Sequence, residues 1–480
     1  MDQSAPHTRL VVVAPHPSGH EVSAALDRIE ALYGALEAQG TPIAVEYLRP
    51  ATREALAQRL AQGDAPILYF EGPILSTPQG QAFALEAPDG EDLLPWQALG
   101  EMASGASMVI LGGLTEEALA AFEVPAQTPV VLLRADLTGE AASRGWAAFW
   151  EALLSGRPLT QAIEEASRQA ERDPLAAWLG EGGEGAISGP KGGAFQCRGA
   201  GAEWALPLGA KEDRETSGIR KVVRFPSPDL SPAWQRLPSE PIPGGPPPEP
   251  PHGFLGRGQE RATLERWLTS EEAEPPIWLY GYEGLGKTSL ILHTARWLVR
   301  TGRFERVVYT SFAGGNLPEE ALYDAGQTLL GEAFPTSEEN PLERLAEALR
   351  TTKTLIIWDD LETILAEGEV PLPAGQIAGL KELAHRLNTG PSRLCLIANG
   401  PTLPGDASTI AETSRALTLG ALPPSEALAL LGRTWQGVHH TLPERAIAEA
   451  LLERLGGHPF ALVILAHFAG SLAEGLEGLR

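Results

Sequence analysis

The chain has 480 residues, a length that implies roughly two to four domains, and its 43% hydrophobic and 21% charged content suits ordinary globular cores. Asp and Glu number 62 against 37 Lys and Arg, a net charge of −25, which argues against a nucleic-acid-binding surface as the main business of the protein while leaving room for a local basic patch, so no nucleic acid is expected as a partner. Two cysteines exclude a disulfide framework and suit a reducing compartment, and no signal-like N-terminus or membrane-length apolar run is visible, so a cytoplasmic protein without a membrane partner is expected.

In chain order, residues 9–14 (RLVVVA) read as a buried strand. Val22, Leu26, Ile29, Leu32 and Leu36 recur at helical spacing through residues 21–39. Residues 43–48 alternate like a strand, and Thr52 is placed to cap a helix that closes at Gly63. Strands follow at 67–70, 107–111 and 130–133, then helices at 141–154 and 160–172. Strands alternating with helices predict an α/β domain with a mainly parallel sheet.

The order of these elements and their local wording resemble the CHAT domain, a caspase-like peptidase fold, over nearly all of residues 8–209. PILYFEGPI resembles that family's histidine strand, and FALEAPDGEDLLPWQALGEM its hairpin and helix. ASMVILGGL resembles its cysteine strand, and AEWALPL its closing strand. The catalytic histidine of the family falls on Pro73 and the nucleophile on Leu114, after Gly112 and Gly113. Neither side chain can make or be a thiolate nucleophile. The resemblance therefore implies a caspase-like domain that has lost catalysis and kept its fold. A substitute pair of Cys197 with His20 stays open at this point, as does a metal site at His16 and His20.

The composition changes near residue 211. Residues 211–222 are charged, and 226–251 are rich in proline, ending PIPGGPPPEPP. Such a stretch cannot build a core and reads as an extended spacer.

Beyond it, residues 277–280 form an apolar strand and residues 281–288 carry the spacing G-x-x-x-x-G-K-T, followed by a helical pattern from Ser289 to Val299. Strand, glycine loop and helix together define a P-loop. Glycines let successive N–H groups turn inward onto phosphate oxygens at a helix N-terminus. The expected phosphate cradle is Gly281, Tyr282, Glu283, Gly284, Leu285, Gly286, Lys287, Thr288 and Ser289. Lys287 would reach the β- and γ-phosphates, and the Thr288 hydroxyl would hold Mg²⁺. Residues 354–358 are a threonine and four apolar residues ending in Asp359-Asp360, a Walker B pattern. Asp359 is the expected Mg²⁺ residue, through water, and Asp360 the catalytic residue that polarises attacking water.

This half resembles the NB-ARC-like STAND ATPases. Phe254, Leu255, Gly256 and Arg257 resemble the family's F-x-G-R opening beside the adenine, and GGHPFALVILA its G-G-x-P-L-A-L motif, whose proline, Pro459 here, lies near the base. Glu362 matches a common family residue without a clear role. The family's γ-phosphate-sensing arginine follows the strand at 394–398, where this chain has Ala398, Asn399 and Gly400. Asn399 retains a hydrogen-bond donor there, and the missing arginine implies slow turnover unless a neighbouring subunit supplies one.

The expected architecture is thus α/β throughout. A CHAT-like domain spans 1–210, a Pro-rich linker 211–252, a P-loop NTPase core 253–408 and a small helical subdomain 409–480. The resemblance implies an ATP/ADP-regulated signalling switch using Mg²⁺, with protein partners and nucleotide-dependent self-association. The alternatives are a nucleotide-regulated cysteine peptidase, or an adaptor that binds nucleotide without turnover. A winged helix and repeat sensor are usual in the family this half resembles, and whether they follow Arg480 in a longer chain or are absent stays open at this point.

Overall fold

The computed structural model describes residues 8–198 and 247–468, apart from 18–19, 21–22, 40–42, 79, 88–89, 116–117, 119–127, 136, 173–174, 176–177, 179–193, 248, 251, 271–274, 314–317, 332–333, 335–340, 365–372 and 400–412. The chain divides into two compact units, Met1–Phe225 and Pro226–Arg480. The division falls within the expected linker, nearly all of which lies outside the described residues.

In the first unit the apolar runs become strands β1 (Thr8–Val13), β2 (Ile43–Leu48) and β3 (Ile67–Glu71). Strands β4 (Ile74–Thr77), β5 (Gly80–Ala87) and β6 (Gly90–Pro95) form a separate antiparallel sheet. Strands β7 (Met108–Leu114), β8 (Val130–Arg134) and β9 (Phe195–Arg198) complete the main sheet, whose order is β2-β1-β3-β7-β8-β9. All its pairs are parallel except β8 with β9. The helices are α1 (Ser23–Gln39), α2 (Arg53–Leu60), α3 (Trp96–Met102), α4 (Gly139–Leu154) and α5 (Leu159–Ala170). Thr52 and Thr138 start α2 and α4, each hydroxyl accepting the N–H three residues on, at 3.2 and 3.1 Å.

Strands β1, β3, β7 and β8 are buried along nearly their whole length because both faces of the sheet are covered. On one face Val11, Val13, Leu68, Phe70 and Leu111 pack with Phe83 and Leu85 of β5, Leu94 of β6, Leu56 of α2 and Leu99 of α3. On the other, Trp146 of α4 meets Tyr69 edge-on at 5.6 Å and Phe195 at 5.2 Å. Strand β4 and the last described strand of this unit, β9, were not among the strands read by periodicity; each is four residues long, too short for a period to register. The closing strand expected at AEWALPL, 202–208, lies outside the described residues.

The second unit begins with α6 (Gly258–Leu268) and β10 (Ile277–Gly281), followed by α7 (Lys287–Arg300), β11 (Arg306–Ser311), α8 (Pro318–Leu330) and α9 (Pro341–Thr351). Then come β12 (Thr354–Asp359), α10 (Ala374–Leu387), β13 (Arg393–Asn399) and β14 (Arg415–Thr418). The five strands form a wholly parallel sheet in the order β11-β12-β13-β10-β14. Helices α11 (Pro424–His439), α12 (Arg445–Leu455) and α13 (Pro459–Phe468) close the unit. The boundary expected at 408/409 is corrected by β14: residues 415–418 pair with β10, so the ATPase sheet runs on to Thr418 and the helical subdomain starts with α11. A four-residue edge strand gives too weak a pattern to locate that end. No described helix is long and apolar enough to cross a membrane.

Candidate functional site

Strand order places the site of the second unit. From β10 the chain crosses to the far edge at β11, returns through β12 and β13, and then passes beyond β10 to β14. Such a reversal opens a crevice at the carboxyl ends of the strands. The ends of β10, β12 and β13 carry the P-loop, Asp359 and Asn399 respectively.

The P-loop backbone has the shape that its glycines predict. Gly284 and Gly286 take φ of 74° and 87°, left-handed values that suit glycine, and Gly286 caps α7. A Cβ on Gly284 would meet His458 Cε1 at 2.7 Å and Phe460 Cβ at 2.9 Å. The start of α13 therefore lies on the loop itself: the Phe460 N–H donates to Gly284 O at 3.3 Å, and His458 Nε2 lies 3.1 Å from Glu283 O. A Cβ on Gly286 would meet nothing within 4 Å, so the helix start faces open space.

Lys287 is buried and donates to Gly281 O at 3.0 Å, Tyr282 O at 3.1 Å and Asn399 Oδ1 at 2.5 Å. Burial pushes its pKa down, against the pull of Glu362, Asp359 and Asp360. Thr288 Oγ1 donates to Asp359 Oδ2 at 2.6 Å, and the Tyr309 hydroxyl donates to the same oxygen at 3.0 Å. Asp360 sits in the left-handed region at φ 58° and accepts from Ser311 Oγ at 2.6 Å. Sequence reasoning missed Tyr309 and Ser311. Their signal was the i, i+2 spacing on the strand RVVYTS, which puts both on one face at the carboxyl end next to Asp359.

Burial, and then the neighbouring Asp360, push the Asp359 carboxyl up to about 6, although Thr288 and Tyr309 pull the other way. The charged form is thus disfavoured in the folded chain. The stability cost is absent below the unfolded value near 3.8, grows as pH rises towards 6 and is complete above it. Asp359→Asn is expected to stabilise the nucleotide-free, metal-free second unit by on the order of 2–3 kcal/mol at pH 7, or a rise of about 5 °C in its melting transition. The gain should vanish near pH 4. Calorimetric scans of both chains at pH 4 and pH 7 test this, and equal melting at pH 7 would rule it out.

These groups line one cavity of about 410 Å³, to which Glu283, Gly284, Leu285, Gly286, Lys287, Thr288, Ser289, Asp359 and Asp360 all contribute. Phe254, Leu255, Arg257 and Pro459 line it too, with His252, Leu430 and Val463. Phe254 is held by stacking on His293, 4.2 Å between centroids. Gly256, Gly281 and Tyr282 lie outside the lining. Gly281 and Tyr282 serve through the carbonyls that hold Lys287, and the Tyr282 ring is 72% exposed. Gly256 gives room to the Glu426 carboxylate, 2.4 Å from where its Cβ would be. The Arg257 guanidinium is engaged by backbone: it donates to Gly420 O at 2.7 Å, Leu285 O at 3.1 Å and Ala421 O at 3.4 Å. Asn399 also behaves otherwise than expected. Its amide NH₂ donates to Glu362, so the cavity receives its oxygen.

Glycine-shaped loop between strand and helix, buried lysine, threonine on the strand-end carboxylate and strand order agree. The second unit is a P-loop NTPase fold. Solved structures similar to the chain, at low identity, include C. elegans PCH-2, at 12% identity over 47% of this chain and 68% of that one, TM-score 0.33. A Thermotoga maritima RuvB variant matches at 15% over 44% and 61%, TM-score 0.30. Domain III of the Thermotoga maritima replication initiation protein DnaA matches at 16% over 45% and 86%, TM-score 0.31. No family model matches the chain, and no curated protein matches it. The P-loop NTPase assignment rests on the geometry above.

In the first unit the strands expected to carry a histidine and a nucleophile, β3 and β7, are neighbours, with Glu71 opposite Gly112. Leu114 is fully buried in the core, and Pro73 only offers its carbonyl to Ala84 N–H at 3.0 Å. Between the strand ends lies a buried ionic cluster that the sequence did not announce. Arg28 Nε donates to Glu71 Oε1 at 2.5 Å, and the Tyr69 hydroxyl donates to the other Glu71 oxygen. Arg28 also donates to Ala135 O at 2.8 Å and Leu137 O at 3.2 Å. A Cβ on Gly112 would stand 2.3 Å from Glu71 Oε2, so the glycine makes room for the carboxylate. Burial pushes the Glu71 carboxyl up, against the pull of Arg28 and Tyr69.

Cys197 lies on β9, opposite Val131, whereas His16 and His20 follow β1. β1 and β9 are four strand spacings apart in the main sheet, about 19 Å from strand to strand. His20 lies 2.5 Å from Glu91, and neither histidine belongs to a group of three or more potential metal ligands among the described residues.

Proposed function

We propose that this chain is a STAND-type switch regulated by ATP and ADP, with a catalytically degenerate caspase-like first unit that acts by protein contact. The contact of α13 with the P-loop carries the reading. Phe460 N–H on Gly284 O and His458 against Glu283 O join the helical subdomain to the loop expected to hold phosphates. Whatever the phosphates do to Gly284 is felt at once by α13, and a nucleotide that favours one placement of the subdomain shifts the population towards it.

The residues present fit a nucleoside polyphosphate. Lys287 is a buried ammonium held by two carbonyls and an amide oxygen, all weaker partners than a phosphate. Thr288 and Asp359 fit a Mg²⁺ ion, which when bound would neutralise phosphate charge. Phe254, Leu255, Arg257 and Pro459 form the base side, and Asp360, aimed by Ser311, orients water for slow turnover. Nucleotide-dependent self-association, supplying an arginine in trans, belongs to the same reading.

In the first unit, the Arg28–Glu71–Tyr69 cluster occupies the strand ends where a Cys–His pair would have to sit. That favours a contact role over peptidase chemistry. Hydrogen exchange on the full chain with Mg²⁺ and either ADP or a non-hydrolysable ATP analogue tests the switch. Amides of α11 to α13 should exchange at different rates in the two states. Identical protection of those helices with both nucleotides bound would leave an adaptor, and the switch would be wrong.

A further inference from the structure

Beyond the charge it sets near Lys287, Glu362 has no part in the phosphate chemistry above, yet both its oxygens are committed to one residue. One accepts the Asn399 backbone N–H at 3.0 Å, and the other accepts the Asn399 side-chain amide. A carboxylate only accepts, so the NH₂ of Asn399 must face Glu362 and its Oδ1 must face away. Facing away lies Lys287 Nζ at 2.5 Å, an ammonium that only donates. Two one-way neighbours thus settle an amide orientation that atom positions alone leave ambiguous.

The consequence falls on the phosphate end of the cavity. Asn399 spends its backbone N–H and one amide N–H on Glu362, and what it presents to the P-loop lysine is an acceptor. Asp359, Asp360 and Glu362 line the same end of the cavity. A diphosphate can be met by Lys287 while one of its three N–H groups stays on Asn399. The third phosphate of a triphosphate is itself an acceptor and must take Lys287 from Asn399 or lie against its oxygen. Turning the amide over would offer the phosphate a donor, but would press Oδ1 onto Glu362, acceptor against acceptor.

We propose that Glu362 is a specificity-determining residue: by locking Asn399 with its oxygen towards Lys287, it sets the site to prefer a nucleoside diphosphate over a triphosphate. This rests on the P-loop reading above. Glu362→Gln relieves the lock. Its Nε2 can donate to a turned Asn399 oxygen while its Oε1 still accepts the backbone N–H.

Calorimetry on the full chain with Mg²⁺, ADP and a non-hydrolysable ATP analogue decides the matter. The wild-type chain should bind ADP more tightly. In Glu362→Gln the ratio of triphosphate Kd to diphosphate Kd should fall about tenfold, the scale of one charge-assisted contact. Asn399→Ala, which removes the acceptor, should move the ratio the same way and decides the case if Glu362→Gln does not fold. An unchanged ratio in a folded variant that binds both nucleotides overturns the proposal, as does tighter triphosphate binding by the wild-type chain. A folded variant that binds neither nucleotide also overturns it, since Glu362 would then serve binding and not selection. A wild-type chain that binds neither overturns the P-loop reading itself.

Discussion

Lys287→Ala is expected to weaken both ADP and ATP by about 30-fold to nearly 1,000-fold, read by calorimetry with Mg²⁺. Lys287 is buried, and its ammonium is held at the mouth of the P-loop by Gly281 O, Tyr282 O and Asn399 Oδ1. Phosphate oxygens would replace those neutral partners with charged ones in a partly dry site. Removing the cation should then cost on the order of 2–4 kcal/mol, the scale of breaking a charged contact out of water. The fold should survive, because truncation leaves two carbonyls and the Asn399 amide oxygen beside an open cavity that water can reach. Equal affinity of the wild-type and Lys287→Ala chains, or no binding by either at millimolar nucleotide, would dismiss the nucleotide site and the switch with it.

The second large effect is expected in the first unit. Arg28→Ala should destabilise it by about 3–5 kcal/mol, because Glu71 is left charged or newly protonated in a site that burial already makes hostile to charge. Gly112 leaves no side chain to fill the gap, and the Ala135 and Leu137 carbonyls lose their donor. Replacing the cluster together, Arg28→Met with Glu71→Leu and Tyr69→Phe, should recover most of that loss, since no buried charge remains to be paired. Denaturant-dependent hydrogen exchange at the β3 and β7 amides reports this unit separately from the other. A single Arg28→Ala variant that protects those amides as well as the wild-type chain does would show that the cluster contributes nothing to holding the strand ends.

The two units were legible in the sequence to different degrees. Residues 277–290 announced strand, glycine loop and helix because phosphate binding by backbone N–H groups demands a local arrangement that only a few sequences permit. Asp359 was legible for the same reason: a buried strand ending in a carboxylate is a local pattern. The alternating elements of the first unit were legible because hydrophobic period reports burial. Short edge elements such as β9 and β14 were not, since four residues hold too little period to read.

What the sequence by itself determined, then, is the local pattern: which loop takes the P-loop form, which lysine and carboxylates flank it, where α/β elements alternate and where proline-rich composition sets in. What only the tertiary structure decided is which distant residues meet. Arg28 and Glu71 are 43 positions apart, Lys287 and Asn399 are 112 apart, and Glu426 reaches the Arg257 N–H across 169. No period or motif encodes such pairs, because they arise where strand order brings separate loops to one end of a sheet. The direction of the Asn399 amide is of this kind: an asparagine can donate or accept, and only its two neighbours in space choose.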